Sequence, residues 1–168
     1  MIIFLDMDGV VADFVRHIRN LNIPYNNQWG QPRETWTAET LAGEEIKERA
    51  MHTPGFWRDI PEMDGALELY QAVHQFKPFF LTAKPREHSE PWIGREKLDW
   101  VRDHLDPEFP THRMIVCNIG SKGPYARPGY VLIDDDLKRN GKEWTEAGGT
   151  FIHYAGPQDL HKVIECLN

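Results

Sequence analysis

Met1-Ile2-Ile3-Phe4-Leu5-Asp6-Met7-Asp8-Gly9-Val10 is the stretch from which the rest of the chain is read. The apolar residues Ile2 to Leu5 run straight into two carboxylates, Asp6 and Asp8, and then a glycine. A short apolar run closed by a turn signal reads as a buried strand. Alternation along an extended chain sends Asp6 and Asp8 to the same side. Two like charges at the end of a buried strand repel each other and are poorly solvated, so one is protonated or a cation lies between them. Ligands that are all oxygen favour magnesium. The pair suits phosphoryl transfer, with Asp6 attacking phosphorus and Asp8 handling the leaving-group proton. A strand followed by a merely acidic turn is the structural alternative.

A chain of 168 residues is most simply one domain with room for a small inserted piece. The net charge of −7 excludes a general binder of nucleic-acid polymers or of a membrane surface, since either wants a basic face. A small anionic substrate needs only local positive charge. Cys117 and Cys166 make no disulfide framework, and a reduced, cytoplasmic setting is expected. The apolar start is too short for a secretory signal, and no apolar run has bilayer-spanning length.

Apolar residues at Val10, Val11, Phe14, Val15, Ile18 and Leu21 are spaced for a helix over 10–21. On that pattern Phe14 is core. From Asn22 to Ile60 the rhythm breaks at Pro24, Gly30 and Pro32, with Trp29, Trp36, Phe56 and Trp57 scattered between polar residues. An acidic helical piece follows Thr37 and ends near Met51. The stretch reads as an insertion. Its aromatics form either its own small core or a wall over the carboxylates, where flat rings suit a nucleobase. Strands and helices then alternate: a helix capped by Asp64, a strand 77–81 with Thr82 at its end, a helix 87–104, strands 113–117 and 130–133, a helix 137–147, a strand 150–153 and a helix 158–167. This alternation predicts an α/β fold, a parallel sheet covered on both faces, with the site at the carboxyl ends of the strands.

The candidate residues, in order, are Asp6-Met7-Asp8, Thr82 in Leu81-Thr82-Ala83-Lys84-Pro85, Lys122 in Gly120-Ser121-Lys122-Gly123, and Asp134-Asp135 after Val131-Leu132-Ile133. Singly, Thr82 reads as a helix cap, Lys122 as a solvated lysine, and Asp134 to Asp136 as acids at a helix N-terminus. Together, their order and placement resemble the four motifs of the haloacid dehalogenase-like (HAD) phosphatase superfamily. Further blocks narrow the resemblance to the 5'(3')-deoxyribonucleotidase family. They are Asp6-Met7-Asp8-Gly9-Val10-Val11-Ala12-Asp13-Phe14, Pro54-Gly55-Phe56-Trp57, Arg95-Glu96-Lys97-Leu98-Asp99-Trp100-Val101 and Ile133-Asp134-Asp135.

The resemblance implies a Rossmann-like parallel sheet, the HAD-like core, formed by residues 1–15 and 63–168, with a small helical cap over 16–62. It implies magnesium-dependent hydrolysis of (deoxy)ribonucleoside monophosphates, with Asp6 as nucleophile and Asp8 as acid and base. Magnesium would be held by Asp6, the Asp8 carbonyl and Asp134, supported by Asp135. Thr82, Lys97 and Lys122 would bind phosphate, and Phe14, Phe56 and Trp57 would line the substrate pocket. Phe14 thus becomes a base contact rather than core. Ala83 stands where the family often has a hydroxyl residue, which leaves sugar preference open. Another small phosphate monoester, such as a sugar phosphate, is the alternative substrate. The expected partner is a small nucleoside monophosphate, neither a nucleic-acid polymer nor a membrane, and a homodimer is left open.

Overall fold

In the computed structural model, which describes residues 1–24, 33–85 and 90–167, the opening run forms β1 (Ile2–Leu5) at the centre of a five-stranded sheet. The other strands are β2 (Phe79–Lys84), β3 (Met114–Asn118), β4 (Tyr130–Asp134) and β5 (Thr150–His153). All pairings are parallel, in the order β3-β2-β1-β4-β5. The chain builds outward from β1 through β2 to β3, then crosses to the other flank of β1 for β4 and β5. The strand order therefore reverses between β1 and β4, where open α/β sheets form a crevice at the carboxyl ends.

Side-chain alternation separates two cores. Ile3, Leu5, Phe80, Val131 and Ile133 pack on one face, with Ile18 of α1 (Phe14–Asn20), Leu69 of α3 (Ala66–His74), Trp100 of α4 (Pro91–His104) and Val163 of α6 (Leu160–Leu167). Phe4, Leu81, Cys117 and Leu132 pack on the other, against Trp144 of α5 (Lys142–Glu146). Phe4 meets Trp144 edge to face at 5.4 Å. The parallel, doubly covered sheet expected of this alternation is the one observed. Among the described residues no helix is long and apolar enough to cross a membrane.

Local differences have identifiable causes. The helix expected from Val10 begins at Phe14, capped by Asp13, whose carboxylate accepts the Arg16 N–H at 2.9 Å. Val10, Val11 and Ala12 are fully buried, but in a tight loop whose amides converge on the Met7 carbonyl at 2.9–3.3 Å. Their apolar spacing reflects burial rather than helix. After the loop, Asp13 N–H donates to Pro61 O (2.7 Å) and Met63 N–H to Val11 O (2.8 Å). The intervening segment thus leaves and rejoins at one place. It contains α2 (Ala38–Met51), capped by Thr37. Trp29 and residues 86–89 lie outside the described residues, so the helix expected from residue 87 is seen from Pro91.

Gly65 in the left-handed region, not Asp64, precedes α3; Asp64 is exposed, 3.5 Å from Arg16. Strand β2 continues past Leu81 to Lys84 because β3 pairs with it at Thr82, Ala83 and Lys84. Strand β3 starts at Met114 and β4 extends through Asp134. The single helix expected over 137–147 is a π-turn at Leu137–Gly141 followed by α5. The last helix starts at Leu160, after a 3-10 turn at Pro157–Asp159.

Gly9 adopts φ +84, and a Cβ there would lie 2.5 Å from an Asp135 carboxylate oxygen. Gly129 has a similar φ of +83 with nothing within 4 Å. Gly9→Ala is therefore expected to lower unfolding stability by more than Gly129→Ala, with the former costing about 1–3 kcal/mol. Urea denaturation of the two variants measures the difference. Equal losses would show that the closeness of Asp135 contributes nothing.

Candidate active site

Register places the acidic residues together. Asp6 N–H donates to Ile133 O at 2.9 Å, which continues the β1–β4 ladder one step past Leu5. Phe4 pairs with Leu132, so two residues further along Asp6 has the parity of Asp134. Asp134 is fully buried and Asp6 nearly so. Carboxylate oxygens of Asp6, Asp134 and Asp135 all lie within 4.8 Å of one another. Asp135, expected only to support the site, is thus placed beside the other two. The Asp8 carboxylate stands apart from this trio.

Two buried lysines supply the countercharge. Lys122 Nζ lies 2.7 Å from Asp6 and 2.6 Å from Asp134. Burial pulls its pKa down, but the two carboxylates outweigh that and raise it, so Lys122 stays an ammonium. Burial pushes the Asp6 carboxyl up to about 8, and Asp134, Asp8 and Asp135 push the same way against Lys122. Lys97, fully buried on α4, donates to Asp8 Oδ2 at 2.6 Å and to the Thr82 hydroxyl at 3.0 Å. Asp8 Oδ1 is buried with no hydrogen-bond partner among the described residues. Thr82 lies inside β2, on the face opposite Leu81, and faces Lys97.

Ionised together, Asp6, Asp8, Asp134 and Asp135 would set four carboxylates against the ammonium groups of Lys97 and Lys122, an excess of two negative charges that a bound cation would offset. Three all-oxygen side chains within 4.8 Å and that excess fit a hard divalent cation. The residues that could hold it are Asp6, Asp134 and Asp135.

The aromatic residues stand next to Lys97, whose Nζ lies 4.3 Å from the Trp57 ring centroid. Phe14 stacks on Trp57 at 6.0 Å and meets Phe56 edge to face at 5.9 Å. Phe56 and Trp57 are buried and continuous with the main core, so they are not a separate core of the insertion. Phe14 is half-buried and is the accessible ring of the three. His17, which sequence reasoning passed over, meets Phe56 at 4.8 Å, and burial holds its imidazole below its usual range.

Asn140 was also missed. It is buried and donates to Asp134 Oδ2 at 3.0 Å, while the Asp136 N–H donates to Asp134 Oδ1 at 2.7 Å. The π-turn brings Asn140 back to the strand end, and no periodic pattern announces such a turn.

Residues 1–163 match the family described as 5' nucleotidase, deoxy (pyrimidine), cytosolic type C protein (NT5C). The chain is 28% identical over 155 residues to the cytosolic-type 5'(3')-deoxyribonucleotidase of Homo sapiens, covering 85% of this chain and 74% of that one. It is 30% identical over 146 residues to a Bordetella bronchiseptica protein provisionally named 5'(3')-deoxyribonucleotidase, covering 80% of this chain and 74% of that one. The fold is similar to that of YfnB from Bacillus subtilis, a provisionally assigned HAD-hydrolase whose crystal structure is bound to magnesium. The TM-score is 0.54 at 14% identity, covering 96% of this chain and 97% of that one.

An Asp6 carboxyl raised from 3.8 to about 8 takes up a proton on folding, because the unfolded group is ionised above pH 4. Metal-free protein should therefore lose stability as pH rises from about 4 through about 8. Thermal melts in chelator at pH 6 and pH 8 check this against Asp6→Asn, in which the drop should shrink. An equal drop in both proteins would remove Asp6 as its source.

Proposed function

The chain belongs to the NT5C family of 5' nucleotidases and is a phosphoric monoester hydrolase, and from that premise we propose that it hydrolyses deoxyribonucleoside monophosphates with magnesium, through an aspartyl-phosphate on Asp6. The observation that carries the reading is one buried strand-end cluster. In it Asp6 and Asp134 share Lys122, while Lys97 holds Asp8 beside Thr82.

An Asp6 oxygen attacks phosphorus, and the bond to the leaving nucleoside oxygen breaks. Asp8 gives that oxygen a proton from Oδ1, the atom without a partner. Lys97, anchored on Oδ2, keeps the Asp8 side chain turned toward the reacting oxygen. In the second half, Asp8 takes a proton from water, the water oxygen attacks phosphorus, and Asp6 is released with phosphate. Lys122 and Lys97 offset charge on the phosphoryl oxygens, and the Thr82 hydroxyl orients one of them. Asp6, Asp134 and Asp135 would hold a magnesium ion, which would supply the charge neutralisation that an anionic carboxylate needs to approach an anionic phosphate.

The half-buried Phe14 ring offers its face to the base, with Phe56 and Trp57 behind it. The substrate is thus a nucleotide rather than a sugar phosphate, since base stacking contributes about 1–3 kcal/mol that a sugar lacks.

Phosphate release from a panel of nucleoside monophosphates and sugar phosphates, with and without chelator, tests the reading. Deoxynucleotides should lead, and chelator should stop the reaction. Preference for a sugar phosphate would overturn the substrate, and full activity in chelator would overturn the metal. Asp6→Asn should lower kcat by about 10³-fold or more while the protein melts cooperatively; normal turnover would remove the nucleophile assignment. Phe14→Ala should raise KM for the nucleotide about tenfold and leave p-nitrophenyl phosphate hydrolysis unchanged. Matching losses on both substrates would make Phe14 a core residue.

A further inference from the structure

Glu96 precedes Lys97 on α4, and its carboxylate takes two main-chain donors from a segment about forty residues earlier in the chain. Oε1 accepts the Gly55 N–H at 2.6 Å and Oε2 accepts the Trp57 N–H at 3.2 Å. Gly55 has φ +95, so the chain turns here in a way a side chain disfavours. Two amides on one carboxylate are charge-assisted bonds, stronger than neutral ones. The next residue, Lys97, covers the Trp57 ring at 4.3 Å while holding Asp8 and Thr82. One helical step therefore fixes Trp57 twice: its backbone through Glu96 and its ring through Lys97.

Other bonds along α4 hold the remainder of the segment. Trp100 Nε1–H donates to Ile60 O at 2.6 Å, Asp103 pairs with Arg58 at 2.8 Å, and His104 meets Glu62 at 2.8 Å. Among these, Glu96 is the one bonded to the backbone of the aromatic pair.

We propose that Glu96 is a positioning residue that sets the distance between the aromatic wall and Asp8, and so governs the base-dependent part of substrate binding. The inference rests on the nucleotidase reading above. Glu96 touches neither phosphate nor the reacting atoms; it acts through Gly55 and Trp57. Losing it frees the loop to move away from Lys97, which weakens stacking on the base and leaves the phosphoryl chemistry in place.

Two measurements on wild type, Glu96→Ala and Glu96→Gln test this. Glu96→Ala should raise KM for a deoxynucleoside monophosphate about tenfold, hold kcat within about twofold, and leave kcat/KM for p-nitrophenyl phosphate unchanged. Glu96→Gln keeps one acceptor oxygen and should fall between. Amide hydrogen exchange at Gly55 and Trp57 should quicken about tenfold or more in Glu96→Ala, while exchange in β1 and β4 stays slow. Equal losses on both substrates, an unchanged nucleotide KM, or unchanged exchange at Gly55 and Trp57 would overturn the proposal. If the wild type proves not to act on nucleotides, the substrate reading fails separately, and the exchange at those two amides decides the clamp by itself.

Discussion

Two carboxylates buried side by side, Asp6 and Asp134, are the constraint on which the rest of this structure depends. Such a pair is unstable in a low-dielectric interior unless a cation lies between them. Lys122 meets the need from a loop between β3 and β4, at 2.7 and 2.6 Å. The requirement explains neighbouring detail that has no packing reason. Asn140 turns back through a π-turn to donate to Asp134. The loop after β1 passes so close to Asp135 that only glycine fits at position 9. The three carboxylates gathered there form an all-oxygen donor set of the kind a hard divalent cation takes.

The second lysine comes from the other face of the sheet and does a different job. Lys97 lies buried on α4, the helix that also carries the core residues Trp100 and Val101, and reaches Asp8 and Thr82. The site thus has two halves, each built around a buried lysine. One, around Lys122, gathers the carboxylates of Asp6, Asp134 and Asp135. The other, around Lys97, anchors the Asp8 carboxylate by one oxygen and leaves the other without a partner among the described residues. Because α4 also grips residues 55–62 along its length, Trp57 and the Asp8 carboxylate are held by one helix.

How far this was legible in the residues depended on whether the governing force was local. Asp6 and Asp134 were readable because each ends a short, apolar, doubly buried strand, and strand ends in parallel sheets converge on one edge. Lys122 and Lys97 were readable only from their likeness to known motifs, and Thr82 was legible as a strand-end residue but not as a phosphate ligand; alone, each has an ordinary structural role. The apolar spacing of Val10 to Ala12 misled, because a fully buried loop and the buried face of a helix demand the same residue types. Strand β2 was cut short at Leu81 because pairing of Thr82 to Lys84 is supplied by β3, thirty residues further on. Phe56 and Trp57 were recognised as pocket candidates, but their burial behind Phe14 was not, since periodicity fails in that irregular segment.

The amino-acid sequence by itself determined the alternation of strands and helices, the parallel sheet and the acidic strand ends, because period-two burial and turn chemistry act within a few residues. Tertiary structure alone decided which lysine lies against which carboxylate, that Asp135 joins Asp6 and Asp134, and that Asn140 bonds Asp134. Those pairings join groups as distant along the chain as Asp6 and Lys122. They are set by strand order and helix docking, which no local pattern encodes.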